Sequence, residues 1–164
     1  MAKPAKKEES STHPKLDQKD LAILRQLQHN ARITVKEISE KVHLSTTPVY
    51  ERIKWMEETG VIKQYATLID PAKLNRQLTV IVYVSLKQHN KTAGSKFVKA
   101  INEMSDVLEC YSISGEFDFM LKVVTQDMNA YYDFHVNQLS EMENIGNVQS
   151  IFVMGVVKDT HVMV

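Results

Sequence analysis

The chain has 164 residues, 43% of them apolar, and its 20 Lys/Arg balance 20 Asp/Glu, a composition suited to one globular domain or two small ones with a sizeable core. No apolar stretch approaches the roughly 20 residues of a membrane helix, and the single cysteine, Cys110, excludes an intramolecular disulfide framework. With only five glycines there is no phosphate-binding glycine loop and no nucleophile elbow.

The zero net charge hides an asymmetry. Residues 1–75 hold 13 Lys/Arg and 10 Asp/Glu, a balance of +3, and residues 76–164 hold 7 and 10, a balance of −3. A basic first half suits a nucleic-acid-facing surface. Residues 1–15, "MAKPAKKEESSTHPK", lack the apolar middle of a signal peptide and are expected to be a disordered basic tail.

From Leu16 to Gly60 the apolar spacing is helical. Asp17 is placed to cap a first helix carrying Leu21, Leu24 and Leu27 with Ile23 beside them, and "NARI" (30–33) breaks it. "TVKE" (34–37) has the form of a capping box, with Ile38 and Val42 on one face behind it. After the link "HLS" a third helix is expected, its core stripe Val49, Ile53 and Met56, its end at Gly60. "VIKQYATLI" (61–69) is β-prone. Three short helices followed by a strand are the order of a winged or extended helix-turn-helix.

The start of the third helix, "STTPVYERIKWM" (45–56), carries more hydroxyls than capping requires. One of Ser45, Thr46 and Thr47 serves as N-cap, and Pro48 fits only in the first turn. The others lie at a helix N-terminus, where hydroxyls, amides and the dipole suit a phosphate or a base edge. Thr46, Thr47, Tyr50, Lys54 and Trp55 face away from the core stripe, with Arg52 on the flank. Taken by themselves these residues fit a capped amphipathic helix with solvated charges equally well.

Residues 63–77 read as a β-prone linker, and beyond Pro71 the pattern changes. "LTVIVYVSLK" alternates, with Leu78, Val80, Val82, Val84 and Leu86 on one face. Phe97, Ile101 and Met104 mark a helix. "VLECYSIS" (107–114) and "FDFMLKVVT" (117–125) are two strands joined through Gly115–Glu116, expected as a type II′ turn. Asp127 is placed to cap a second helix with Met128, Tyr132, Val136 and Leu139 on one face, and "VQSIFVMGVV" (148–157) is the last strand. The order βαββαβ over 78–164 is ferredoxin-like, so the chain is α+β. Two helices cover one face of such a sheet, yet the first and last strands are apolar on both faces, which implies a homo-oligomer.

The residues 16–62, with Leu16–Asp17, "NARI", "LSTTPVYERI" and Gly60–Val61–Ile62, resemble the start of the leucine-responsive/asparagine regulators (Lrp/AsnC, feast/famine). The family core "S-x-x-x-V/I-x-x-R-I/V" is met by Ser45, Val49, Arg52 and Ile53, and "G-x-[FY]-D" by Gly115, Glu116, Phe117 and Asp118. The resemblance spans about 16–158. It implies a transcriptional regulator, cytoplasmic and nucleoid-associated, of a bacterium or archaeon, and not an enzyme. It implies binding of double-stranded DNA through Ser45, Thr46, Thr47, Tyr50, Arg52 and Lys54. It also implies dimers paired through the βαββαβ halves that often assemble to octamers, and a small-molecule effector, usually an amino acid, with no other cofactor.

For the effector, amides of the Ser114–Gly115–Glu116 turn suit a carboxylate, and Asp118 suits an α-ammonium group. The residues alone favour a plain hairpin with a solvated aspartate. With the resemblance, Gly115, Glu116 and Asp118 become the candidate site, joined by Ser112 and Ser114. The six histidines show no short metal-ligand spacing. Two alternatives remain open: an amino-acid-sensing subunit that docks on an enzyme without touching DNA, and a DNA-organising protein without an effector.

Overall fold

The computed structural model describes residues 15–88, 90–160 and 163–164; the expected tail lies outside them except for Lys15. The chain divides into two compact units. Residues 15–67 form the first, with 159–160 and 163–164 grouping with them, and Leu68–Lys158 form the second.

The first unit contains α1 (Gln18–His29), α2 (Val35–Val42) and α3 (Thr46–Glu58). Two reciprocal caps start the first two helices. Asp17 accepts from the Asp20 amide at 2.8 Å while Asp20 accepts from the Asp17 amide at 2.9 Å. Thr34 accepts from the Glu37 amide at 3.2 Å and Glu37 from the Thr34 amide at 2.8 Å. Each box satisfies two otherwise orphaned N–H groups. His43 closes α2 in the left-handed region, φ 52°, and the Leu44 amide returns to the Ser39 carbonyl at 3.1 Å. That tight link turns the chain from α2 into α3. Gly60, at φ 74°, ends α3 in a conformation that costs glycine little.

Ile23, Ile38, Val42, Val49 and Met56 form the buried core of this unit, with Leu24, Leu27 and Ile53 packed at its edge. In α1 the fully buried apolar residue is therefore Ile23, and the expected leucine stripe flanks it. Residues 61–69 form no strand: the segment has β-prone side chains, but no neighbouring strand takes its backbone groups. The expected wing strand is thus not formed within this chain.

The second unit opens with a 3₁₀ turn, Pro71–Leu74, capped by Asp70. Then follow β1 (Leu78–Leu86), α4 (Lys91–Asn102), β2 (Val107–Ser112), β3 (Phe119–Thr125), α5 (Met128–Asp133) and β4 (Ile145–Phe152). The sheet order is β2-β3-β1-β4, every neighbouring pair antiparallel, so the ferredoxin-like topology is present. Val80, Val82 and Val84 stand opposite Val123, Leu121 and Phe119 and are buried with Phe97, Ile101, Tyr131, Phe134 and Leu139 of the helical layer.

Three local expectations change. Strand β4 spans 145–152 rather than 148–157; its start pairs with Leu86 across a bulge, where Gly146 lies so close to the Ser85 carbonyl that a Cβ would sit 3.1 Å from it. Helix α5 passes at Phe134 into a π-helical turn, Phe134–Leu139. Tyr131 within α5 and Phe134 at its end point inward while Met128 and Tyr132 are 55% and 66% exposed, and the extra residue of the π turn brings Leu139, five positions beyond Phe134, onto the same buried face. The β2–β3 connection is also longer than two residues, for a reason that belongs to the site.

Candidate DNA interface and effector loop

On α3 the core stripe divides the surface cleanly. Val49 and Met56 are fully buried, and Ser45, Thr46, Thr47, Tyr50 and Lys54 are exposed. Ser45 occupies the N-cap position with extended backbone, but its side chain makes no capping hydrogen bond. The expectation that one hydroxyl is consumed by the cap is not met: all three face outward. Tyr50 is 57% exposed, and Lys54 makes a long, solvated ion pair with Glu58 at 3.7 Å. Such a surface offers donors, acceptors and one cation to a groove.

Arg52 differs from the rest. Its Nη1 lies 2.6 Å from Asp20 Oδ1 and 2.7 Å from Asp17 Oδ2, joining α3 to the capping box of α1. The paired carboxylates hold the guanidinium pKa above its usual value. The Asp17 carboxyl lies below its usual value, through the Asp20 amide first and Arg52 second. The sequence reading placed Asp17 as a cap and missed this network. A cation one helical turn from Val49 and Met56, at the border of the core stripe, was the available signal.

The effector loop comprises residues 113–118. Beyond the last β2–β3 pair, Ser112 with Phe119, the Ile113 amide donates to the Asp118 carbonyl at 2.9 Å. The Asp118 amide donates to the Val84 carbonyl at 2.9 Å, and its carboxylate accepts from the Leu86 amide at 2.7 Å. These bonds draw the start of β3 toward the end of β1, which is why a two-residue turn does not form. Gly115 has φ 126°, and Ser112, Ser114, Gly115 and Glu116 are all exposed. Asp118 therefore braces the loop from below instead of standing free beside it. A cleft of about 720 Å³, lined among others by Lys87, Asn90, Lys96, Phe97, Met142 and Asn144, lies apart: no residue from 112 to 118 lines it. Among the described residues there is no His/Cys/Asp/Glu group able to hold a metal, and no helix is long and apolar enough to cross a membrane.

The face of the sheet away from α4 and α5 carries Ile81 and Tyr83 of β1, Met120 and Lys122 of β3 and Ile151 of β4, as the register requires. Tyr83 packs on Phe117 with ring centroids 5.5 Å apart, and Lys122 pairs with Glu109 at 2.9 Å.

A capped three-helix unit presenting a polar recognition helix, followed by a ferredoxin-like unit with an exposed loop, defines a DNA-binding protein with a sensory domain. The comparisons agree. A winged helix-turn-helix DNA-binding model matches residues 16–63, and the Lrp/AsnC ligand binding domain matches 79–163. The transcriptional regulator AzlB of Bacillus subtilis is 36% identical over 88% of this chain and 92% of its own. The leucine-responsive regulatory protein of Haemophilus influenzae is 35% identical over 100% and 99%. A crystal structure of a transcriptional regulator–L-Met complex from Neisseria meningitidis is 35% identical, with TM-score 0.86 over 90% of this chain and 95% of that one. An AsnC family regulator from Agrobacterium tumefaciens is 37% identical, with TM-score 0.85 over 90% and 96%. The chain belongs to the Lrp/AsnC family: it is a transcriptional regulator with a helix-turn-helix DNA-binding half and a ligand-binding domain, and it is not an enzyme.

Proposed function

We propose that the protein binds double-stranded DNA through Ser45, Thr46, Thr47, Tyr50 and Lys54 and acts in the cytoplasm on nucleoid DNA. Its ferredoxin-like units pair through the open sheet face into dimers, which assemble further, to an octamer. A neutral amino acid held at Ser112, Ser114, Gly115 and Glu116 alters assembly or DNA affinity. The observation that carries this proposal is the division of α3 into a buried Val49/Met56 stripe and an exposed hydroxyl, tyrosine and lysine face. The exposed turn at Ser114, Gly115 and Glu116 supports an effector site that a neighbouring copy completes. The L-Met complex of the Neisseria relative makes methionine, with leucine, the first ligand to try.

DNA binding followed by fluorescence anisotropy across salt concentrations tests the interface. Each phosphate neutralised contributes about 0.9 to the slope of log K against log salt, so Lys54→Ala should lower the slope by about one such unit. Thr47→Ala and Tyr50→Ala should weaken binding with the slope unchanged. If all three variants bind as the wild type does, α3 is not the reading helix. A ligand that binds only the folded protein raises its melting temperature, so a thermal-shift screen of amino acids tests the effector half. A response to none would leave the loop a structural hairpin.

A further inference from the structure

We propose that Arg52 is a positioning residue for DNA recognition: it sets the orientation of α3 against α1 and gives its charge to neither phosphate nor base. The inference rests on α3 being the reading helix and concerns what aims it. Asp20 is 4% exposed, and a carboxylate at that depth requires a charged partner. Arg52 supplies it at 2.6 Å, and the same Nη1 reaches Asp17 at 2.7 Å. Both carboxylates are already fixed by the capping box that begins α1. The guanidinium thus joins the middle of the recognition helix to the doubly capped first turn of the neighbouring helix.

The apolar core cannot do this alone. Val49 and Met56 pack with Ile23, and apolar contacts tolerate sliding and rotation more readily than hydrogen bonds of fixed direction. A small rotation of α3 would move Thr47 and Tyr50 relative to base edges while leaving the core buried. Arg52 also has two carboxylates against its one positive charge, so the cluster of three side chains is already negative. It is poorly placed to release counterions from DNA.

The experiment uses the full-length protein with two duplexes: one selected from a random pool by the wild type, and a scrambled duplex of equal composition. Affinities are measured across salt for the wild type, Arg52→Gln and the paired Asp20→Asn/Arg52→Gln variant, which leaves no buried unpaired charge. Helix content by circular dichroism at the binding temperature identifies the folded variants. The expected result is a loss of discrimination between duplexes of about tenfold or more, the scale of a bidentate base contact, with the salt slope on scrambled DNA unchanged. A slope lowered by about 0.9 on both duplexes, with discrimination kept, would make Arg52 a phosphate contact and overturn the inference. Wild-type discrimination in the folded paired variant would overturn it too, as would failure of both variants to fold, since Arg52 would then hold the fold and not the aim. Salt-independent binding by the wild type would instead refute the proposed DNA interface.

Discussion

Replacing Asp118 separates bracing the effector loop from binding the effector. The carboxylate accepts the Leu86 amide at 2.7 Å while its own amide holds the Val84 carbonyl at 2.9 Å. Asp118→Ala removes a charge-assisted hydrogen bond to a partly buried backbone donor, a loss of about 2 kcal/mol. The unit that contains it, Leu68–Lys158, has a length at which each kcal/mol moves the midpoint by about 4–8 °C. The expected fall is therefore about 8–16 °C, read by thermal unfolding and checked by the urea midpoint at constant slope. Asp118→Asn keeps an acceptor oxygen and should lose about half as much. An alanine variant within about 0.5 kcal/mol of wild type would refute the bracing role. Loss of ligand response in Asp118→Ala alone therefore does not show contact with an ammonium group. Asparagine is the better probe, because it removes the charge while keeping an acceptor for the Leu86 amide and so about half of the brace.

Met56→Ala should cost the helix-turn-helix unit about 2–5 kcal/mol, and since so small a unit has little stability in reserve, DNA binding and the helical signal should fail together. Folded helices with lost DNA binding would mean Met56 is not core. Acid should destabilise the same unit. The Asp17 and Glu37 carboxyls are held below their ordinary values of 3.8 and 4.5, chiefly by the amides they cap. The unfolded chain thus binds protons first, and the contribution is present above those values and lost as pH falls through the lower folded ones. Melting should be flat from about pH 7 to 5 and fall below about pH 4, with Asp17→Ala reducing the fall. An unchanged fall in that variant would remove Asp17 from the account. Ile81→Glu, in the middle of the open sheet face, should give a smaller oligomer by light scattering with an unchanged circular dichroism spectrum; an unchanged mass would place the interface elsewhere.

Much of the architecture is legible in local chemistry. The Asp17 and Thr34 caps, the glycine stop at Gly60, the period-2 run of β1 and the Asp127 cap all depend on residues within a few positions of one another. The structure forms each where the pattern puts it. The exposed face of α3 follows from the same logic, because a helix with one apolar stripe must turn its other side outward.

What depends on distant partners was not legible. Residues 61–69 have strand composition but form no strand, because a strand exists only through a neighbour's backbone. Helix α5 packs Tyr131 inward in place of Met128 and Tyr132, because both faces offer apolar side chains and only the sheet beneath decides which is buried. Asp118 reads locally as a turn residue, and only the approach of β1 makes it an acceptor for Leu86 across 32 positions. Arg52 reads as a cation of the recognition helix, and only the packing of α1 brings two carboxylates to it. Sequence by itself determined the three helices of the first unit, the βαββαβ set of the second and their order, since caps, periodicity and turns are near-neighbour effects. Tertiary structure alone decided which charges are already spent, because an ion pair or a brace is a fact about two segments that meet only after folding.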